Sequence, residues 1–448
     1  MDKVNMANRK RKNKNIFFCI VACCLFLLIQ GCDGIPMKNY SVADLNAAAR
    51  RDKNLFNNKS IVNAKLNGRN LDSGIERGVQ LEDMTIRDLT LRNVQMKWAH
   101  FKNVTFVNCN FIKVNFLESK FENVKFIRGV MFAPDDPNEY EPETSFGEID
   151  IDRLLFDGVQ IGKNVSMNFF NGVVVMRNVV VDSGRKIDQN NRSHYTSEML
   201  GGSNLRVRID HCKVNNEVGI NISGDKSSAY ITNSTFNNSM IKIKGTASWV
   251  ENCTITKSDL PSSKTVVIKK SILDNLGSYS SYDDGKVFLV ENIYKNHIGA
   301  SSRVYIYNAT IPELGIGSGA INIYDTTIEK LRLKDLILER KFVKYQADKT
   351  PPKGITEINL SNVTIGKGDW EGAELQQGKW NNVQLGPVNL KEAQIGVIDG
   401  YRVGYFGSDL KFRESPQPLP IDKPPVPTLE ELGLAQFWKE NDFPQEQY

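Results

Sequence analysis

The chain has 448 residues, ample for a sizeable core, and a formal net charge of +5. The excess is local: residues 1–31 hold six basic side chains (Lys3, Arg9, Lys10, Arg11, Lys12, Lys14) against Asp2, and the remainder carries 51 basic and 51 acidic residues. A near-neutral body lacks the basic field that displaces counterions from nucleic acid, and it is equally unlike an acidic mimic of DNA.

Residues 1–31 read as an export signal. A basic stretch, Arg9 to Lys14, precedes the apolar run Ile16 to Ile29, and the small Gly31 stands before Cys32. The run is shorter than the ~20 residues that span a bilayer comfortably, which leaves a plain transmembrane anchor as the alternative. The ending Ile29-Gln30-Gly31-Cys32 resembles the lipobox of bacterial lipoproteins, with Gln30 departing from the usual small residue. The resemblance implies cleavage before Cys32, acyl chains on Cys32, and membrane attachment through those chains. Asp33 resembles the signal that retains enteric lipoproteins in the inner membrane; without that rule the outer membrane is the address. Residues 32–60 then form a tether and an N-terminal cap, with a helix expected from Ser41 to Arg51 behind a Ser41/Asp44 capping box.

A five-residue beat of large apolar residues follows in 61–128. Ile61, Leu66 and Leu71 start it and Glu76 misses, with Ile75 one residue early. Leu81, Ile86, Leu91, Met96, Phe101, Phe106, Phe111, Phe116, Phe121 and Phe126 then continue it unbroken. Neither a 3.6-residue helix nor a two-residue strand has this period. The pattern resembles the pentapeptide-repeat family. That resemblance implies an all-β fold, a right-handed parallel β-helix with four five-residue sides per coil, and phenylalanines 101–126 stacked in ladders inside it.

Residues 129–148 break the beat and read as an acidic, Pro-containing loop insertion. Beyond it, a motif (apolar, any, often Asn or Asp, small, any, apolar) recurs from Phe156-Ile161 to Trp380-Leu385 and Leu390-Ile395. Its copies include Leu333-Leu338, and many lie about one coil apart. Residues 149–414 therefore continue the solenoid with looser coils, interrupted by loops at 183–204 and 341–354. A rod of roughly 80 Å follows at about 20 residues per coil and ~4.8 Å between strands. The corner asparagines, such as Asn93, Asn103, Asn123, Asn178, Asn233, Asn362 and Asn382, are expected to hydrogen-bond backbone at the turns. The tail, 415–448, is Pro-rich to Pro427, and a short helix is expected from Thr428 to about Glu440 behind a second capping box. Leu429, Leu432, Phe437 and Trp438 form its apolar cluster, which either caps the last coil or docks on a partner.

Chemistry is sparse. Cys109, Cys212 and Cys253 all fall on the inward small position of the motif, as buried hydrophobes with no metal spacing. His100, His194, His211 and His297 accompany no nucleophile motif. The acid pairs Asp150/Asp152 and Asp283/Asp284 could flank a glycosidic bond, yet adjacent acids on solvated loops are commonplace. No catalytic residue, cofactor or metal is expected. The leading expectation is a non-catalytic envelope scaffold for another protein; the alternative is a carbohydrate-binding or carbohydrate-cleaving β-helix. Pentapeptide-repeat relatives commonly act through protein surfaces, which favours the first.

Overall fold

The computed structural model describes residues 42–444, apart from 68, 72–73, 77, 135–143, 183–197, 216–218, 259, 281–284, 302, 334–354 and 408. The export signal, Cys32, Asp33, Ser41, His194, Asp283, Asp284 and the 341–354 loop lie outside the described residues.

The chain winds into an all-β parallel solenoid of about 13 turns with two short helices. The five-residue beat explains the regular end. Leu81 pairs with Phe101 and Phe101 with Phe121; Ile86 pairs with Phe106 and Phe106 with Phe126, each 20 residues on. The rings meet face to face across those steps: Phe101–Phe121 at 5.0 Å and 16°, Phe106–Phe126 at 5.0 Å and 8°, and Phe126–Phe156 at 5.2 Å and 9°. Phe111 meets Phe106 edge-on at 5.4 Å, and Phe116 tilts against Phe146 at 4.9 Å. All six phenylalanines of 101–126 are buried. Such ring pairs contribute ~0.5–1.5 kcal/mol beyond their area.

The corners have one backbone solution. Asp83, Asp88, Asn93, Trp98, Asn103, Asn108, Lys113, Glu118, Asn123 and Arg128 fall every five positions with φ between 51° and 58°. The left-handed region costs an ordinary L-residue roughly 1–2 kcal/mol, and Asn and Asp visit it most readily. Their side chains do not turn back onto the backbone as expected. They bond along the rod: Asn123 Nδ2 donates to Asn103 Oδ1 (3.1 Å) and Asn103 Nδ2 to Asp83 Oδ1 (2.7 Å). Farther on, Asn382 donates to Asn362 (3.0 Å) and Asn362 to Asp325 (2.8 Å). In-register coils place equivalent corners one strand spacing apart, within reach of an amide, so the neighbouring coil outcompetes the local turn. Gly158 (φ 67°) is an exception to side-chain corners, standing one coil on from the Arg128 corner.

Other expectations are corrected. The early beat holds at Ile61 and Leu66, which are buried in the first coil, but not at Leu71. Arg69–Leu71 and Gly74–Glu76 pair antiparallel as a separate hairpin, and Ile61 pairs with Leu91, 30 residues on. The hairpin is an excursion from the first coil, which also explains the Glu76 miss. Residues 129–132 remain in strand and the ladder resumes at Thr144, so the 129–148 break is shorter than it looked; Glu198–Ser203 likewise belongs to a strand rather than a loop. Most motif copies do stack: Phe156, Met176, Ile209, Ile231, Val250, Ile268, Leu289, Ile306, Ile323, Leu360 and Trp380 pair in series. Leu390-Ile395 sits at a different corner, since Ile395 pairs with Leu375. Leu333 likewise follows Arg332, which pairs with Asp369 outside that series. The overlooked copy is Leu289-Tyr294. About 13 turns give a rod of roughly 60 Å rather than 80 Å, because some steps, such as Ile323 to Leu360, take far more than 20 residues for one turn.

Both ends are closed. Helix α1, Val42–Arg51, buries Leu45 and Ala49, and its Asn46 binds the exposed strand edge twice: Nδ2 to the Gly78 carbonyl (3.2 Å), Oδ1 from the Gln80 amide (2.7 Å). An open edge invites pairing with another chain, and this contact occupies it. At the far end Leu410 and Phe412 cover the core, and Phe412 meets Trp380 at 5.3 Å.

Phe121→Ala is expected to destabilise its coils by ~3–5 kcal/mol, read as faster amide exchange in strands 100–132, whereas Phe406→Ala, at a side chain 78 % exposed, should change exchange by less than ~0.5 kcal/mol.

Candidate functional site: a flank strapped by the C-terminal tail

In several coils one strand is apolar on both faces. In Val173–Arg177, Val174 and Met176 join the inner core, while Val173 and Val175 belong to a second, outer cluster. The outward residues align coil by coil as Leu155, Val175, Arg208, Tyr230, Trp249, Val267, Phe288 and Tyr305. Phe288 stacks on Tyr305 at 5.0 Å and Tyr307 on Tyr324 at 4.9 Å. A sheet buried on both faces reads as unbroken apolar triplets, and something must cover the outer side.

The chain's own tail covers it. After Ser415, whose amide bonds the Gly400 carbonyl (2.8 Å), the tail reverses and runs back towards the N-terminal coils. The Asn381 side chain donates to the Leu419 carbonyl and accepts from the Leu419 amide, both at 2.9 Å. The Tyr324 hydroxyl donates to the Asp422 carbonyl, and the Tyr307 hydroxyl to the Pro424 carbonyl at 2.7 Å. Burial pushes both phenols well above their ordinary range, so they remain donors. Lys423 pairs with Asp325 at 2.8 Å and lies over the Tyr307 and Tyr324 rings.

The expected helix arrives in two pieces. The capping box exists, with Thr428 N to Glu431 Oε2 at 2.8 Å and Glu431 N to Thr428 Oγ at 3.2 Å, but it caps a single turn. Gly433 (φ 67°) ends that turn in a Schellman pattern, Leu434 N to Leu429 O and Gly433 N to Glu430 O, both 2.9 Å. Helix α2, Leu434–Asn441, begins beyond it. Leu434, Trp438 and Phe443 are buried in the outer cluster; Leu429, Leu432 and Phe437 are half-buried against it. The four residues singled out in the tail thus face the solenoid flank rather than the last coil.

The strap ends in a knot of charge. Arg177 and Arg208 each bond the Asp442 carboxylate, through Oδ1 and Oδ2 respectively. Arg177 also donates to the Phe443 carbonyl, and Arg153 to the Asn441 and Asp442 carbonyls at 3.2 Å. Arg153 lies over the Phe443 ring at 4.6 Å and Arg206 over the Phe437 ring at 4.0 Å. Sequence reasoning missed these arginines, Asp442, and the tyrosines. The available signal was the apolar triplet: Val173-Val174-Val175 leaves no face for water.

The remaining candidates stay apart. Cys109, Cys212 and Cys253 are buried free thiols; burial pushes them up to about 11, 12 and 12, which keeps them protonated and unreactive. His100 lies 3.5 Å from Glu122, and the exposed His211 3.0 Å from Asp210. Burial alone would raise the Asp210 carboxyl, but hydrogen bonds from Asn233, Thr232 and His211 outweigh it and hold the group low. Asp150 and Asp152 are exposed. Among the described residues no three His, Cys, Asp or Glu side chains could hold a metal, and no helix is long and apolar enough to cross a membrane.

The fold places the chain among parallel β-solenoid proteins. Within it, residues 91–126 match the pentapeptide repeats, in 8 copies. No curated protein and no solved structure shows significant similarity to the chain.

Trp438→Ala is expected to remove ~3–5 kcal/mol of docking energy from the strap. Limited proteolysis should then cut between 415 and 444 while the β signature of the rod in circular dichroism is unchanged; simultaneous loss of both would show the strap to be part of the core.

Proposed function

We propose that the protein is a non-catalytic, lipid-anchored scaffold of the bacterial cell envelope, which holds an extended segment of a partner protein on one solenoid flank. The observation that supports this reading is how residues 415–443 are held. The flank grips their main chain, through Asn381 on Leu419 and through the tyrosine hydroxyls on the Asp422 and Pro424 carbonyls, and offers apolar and aromatic surface to Ile421, Val426, Leu429 and Leu432. Main-chain recognition with side-chain pockets is how extended peptides are received generally. A tyrosine or asparagine that reads carbonyls also tolerates proline, which has no amide hydrogen to offer. The anchor rests on the Ile29-Gln30-Gly31-Cys32 ending, with Asp33 favouring the inner membrane.

The same aromatic row, Trp249, Phe288, Tyr305, Tyr307 and Tyr324, favours the alternative reading of a carbohydrate-binding flank, because sugars pack on such rings. Two measurements separate these. A mature chain ending at Glu414 should bind a synthetic peptide of residues 415–444 in fluorescence anisotropy, whereas the full chain, its flank occupied, should bind it at least tenfold more weakly. Binding or shortening of envelope polysaccharide by the truncated chain, with no peptide binding, would replace the scaffold with a carbohydrate-active protein. In cells, Cys32→Ser should abolish acyl labelling and move the protein out of the membrane fraction; unchanged labelling would remove the lipoprotein assignment.

A further inference from the structure

Three guanidiniums on successive coils converge on the end of the tail. Arg153, Arg177 and Arg208 project from the outer face of strands Arg153–Asp157, Val173–Arg177 and Arg206–Asp210, which pair in series. Arg177 and Arg208 share the Asp442 carboxylate, and Arg153 bonds the Asn441 and Asp442 carbonyls beside it. Each guanidinium has five donors in a rigid fork, and a buried charge is ordinarily paired and fully bonded. Here that condition is unmet. Arg177 is 6 % exposed, and its Nη1 has no hydrogen-bond partner; nor do the buried Nε atoms of Arg153 and Arg208, among the described residues. The neighbouring acids are engaged elsewhere: Asp157 accepts from Asn178 at 2.9 Å, and Asp210 from Thr232 at 2.7 Å and Asn233 at 3.0 Å. Arg206 and Lys125 add further positive charge around the same stretch of tail, over the Phe437 and Phe443 rings.

Positive charge and donors therefore exceed what one carboxylate and the three carbonyls of Asn441, Asp442 and Phe443 satisfy. A tetrahedral oxyanion carries more charge and more acceptor oxygens than Asp442, and planar guanidinium forks suit it particularly well. We infer that Arg153, Arg177 and Arg208 form an oxyanion-binding site of the phosphate class, that Asp442 occupies it as an internal ligand, and that a phosphate group competing for it detaches the end of the C-terminal strap. Because the anion and Asp442 exclude one another, anion binding and strap docking oppose each other reciprocally. Removal of the Asp442 contact also removes the anchor that keeps Phe443 and Trp438 on the flank. The inference does not depend on whether a partner protein uses the uncovered surface.

The test uses the full mature chain carrying Cys32→Ser, in solution at constant ionic strength. Inorganic phosphate is titrated against chloride and followed by calorimetry and by amide exchange over residues 434–443. Phosphate should bind and raise exchange there at least tenfold, with exchange in strands 100–132 unchanged. Asp442→Asn, which removes the internal competitor, should bind phosphate at least tenfold more tightly. The double substitution Arg177→Gln with Arg208→Gln should bind none; Arg208→Gln alone, at a side chain 21 % exposed, is the milder variant should the pair fail to fold. Vesicles of phosphatidylcholine with and without phosphatidylglycerol distinguish the source: a response to phosphatidylglycerol without one to inorganic phosphate assigns the site to a lipid headgroup, and the converse to a soluble anion. If neither phosphate nor phosphatidylglycerol binds wild type or Asp442→Asn better than chloride does, the inference is overturned and the arginines serve only to hold the tail.

Discussion

A parallel strand in a solenoid can satisfy its main-chain groups only through the equivalent strand one turn before and one turn after. Every other feature of this molecule follows from the need to return to register once per coil. Five-residue sides achieve it between Gln80 and Phe132, each side ending in a left-handed residue that turns the chain. Later coils achieve it with steps as short as 17 residues, as from Leu289 to Ile306, or as long as 37, from Ile323 to Leu360. The flanking residues of the longer steps still pair in register. Backbone pairing is thus conserved along the rod while chain length per coil is not.

The same geometry creates the flank. Strict register aligns outward side chains as firmly as inward ones, so apolar residues on the outer face of successive coils merge into one continuous stripe. Water would face that stripe were the tail absent. Proline suits the covering segment because it lacks an amide hydrogen and so cannot pair as a new strand across the flank; it still offers its carbonyl to Tyr307. The strap is a surface ligand of the rod rather than a further coil, held by hydrogen bonds, the Lys423–Asp325 pair and apolar contacts along its length and by arginines at its end.

Legibility in the sequence varied with how local each rule is. The beat from Leu81 to Phe126 was plain because one residue type fills one inward slot at a fixed interval. The copy at Leu289-Tyr294 was hidden because Asn292 takes the small inward position; its side chain accepts from the Ser271 amide (2.8 Å) and donates to the Ile268 carbonyl (2.9 Å), so a buried polar group replaces the small apolar one. Leu333 and Leu390 were read in the wrong phase for the opposite reason. All corners of a coil obey the same local pattern, and nothing local says which corner a stretch will form. The flank was half legible: triplets such as Val173-Val174-Val175 announce a strand covered on both sides, but not by what.

Sequence alone therefore determined the repeating unit, the solenoid class, the inward ladder of phenylalanines and the placement of asparagines at corners, because each depends on residues within one or two coils of one another. The proposed export and acylation at Cys32 rest on a short linear signal alone. Tertiary structure decided the direction in which the tail runs, the tyrosine and asparagine groups that hold it, and the meeting of Arg153, Arg177 and Arg208 at Asp442. Those residues lie between 234 and 289 positions apart along the chain, and only the stacking of coils into a straight flank brings them within a hydrogen bond of each other.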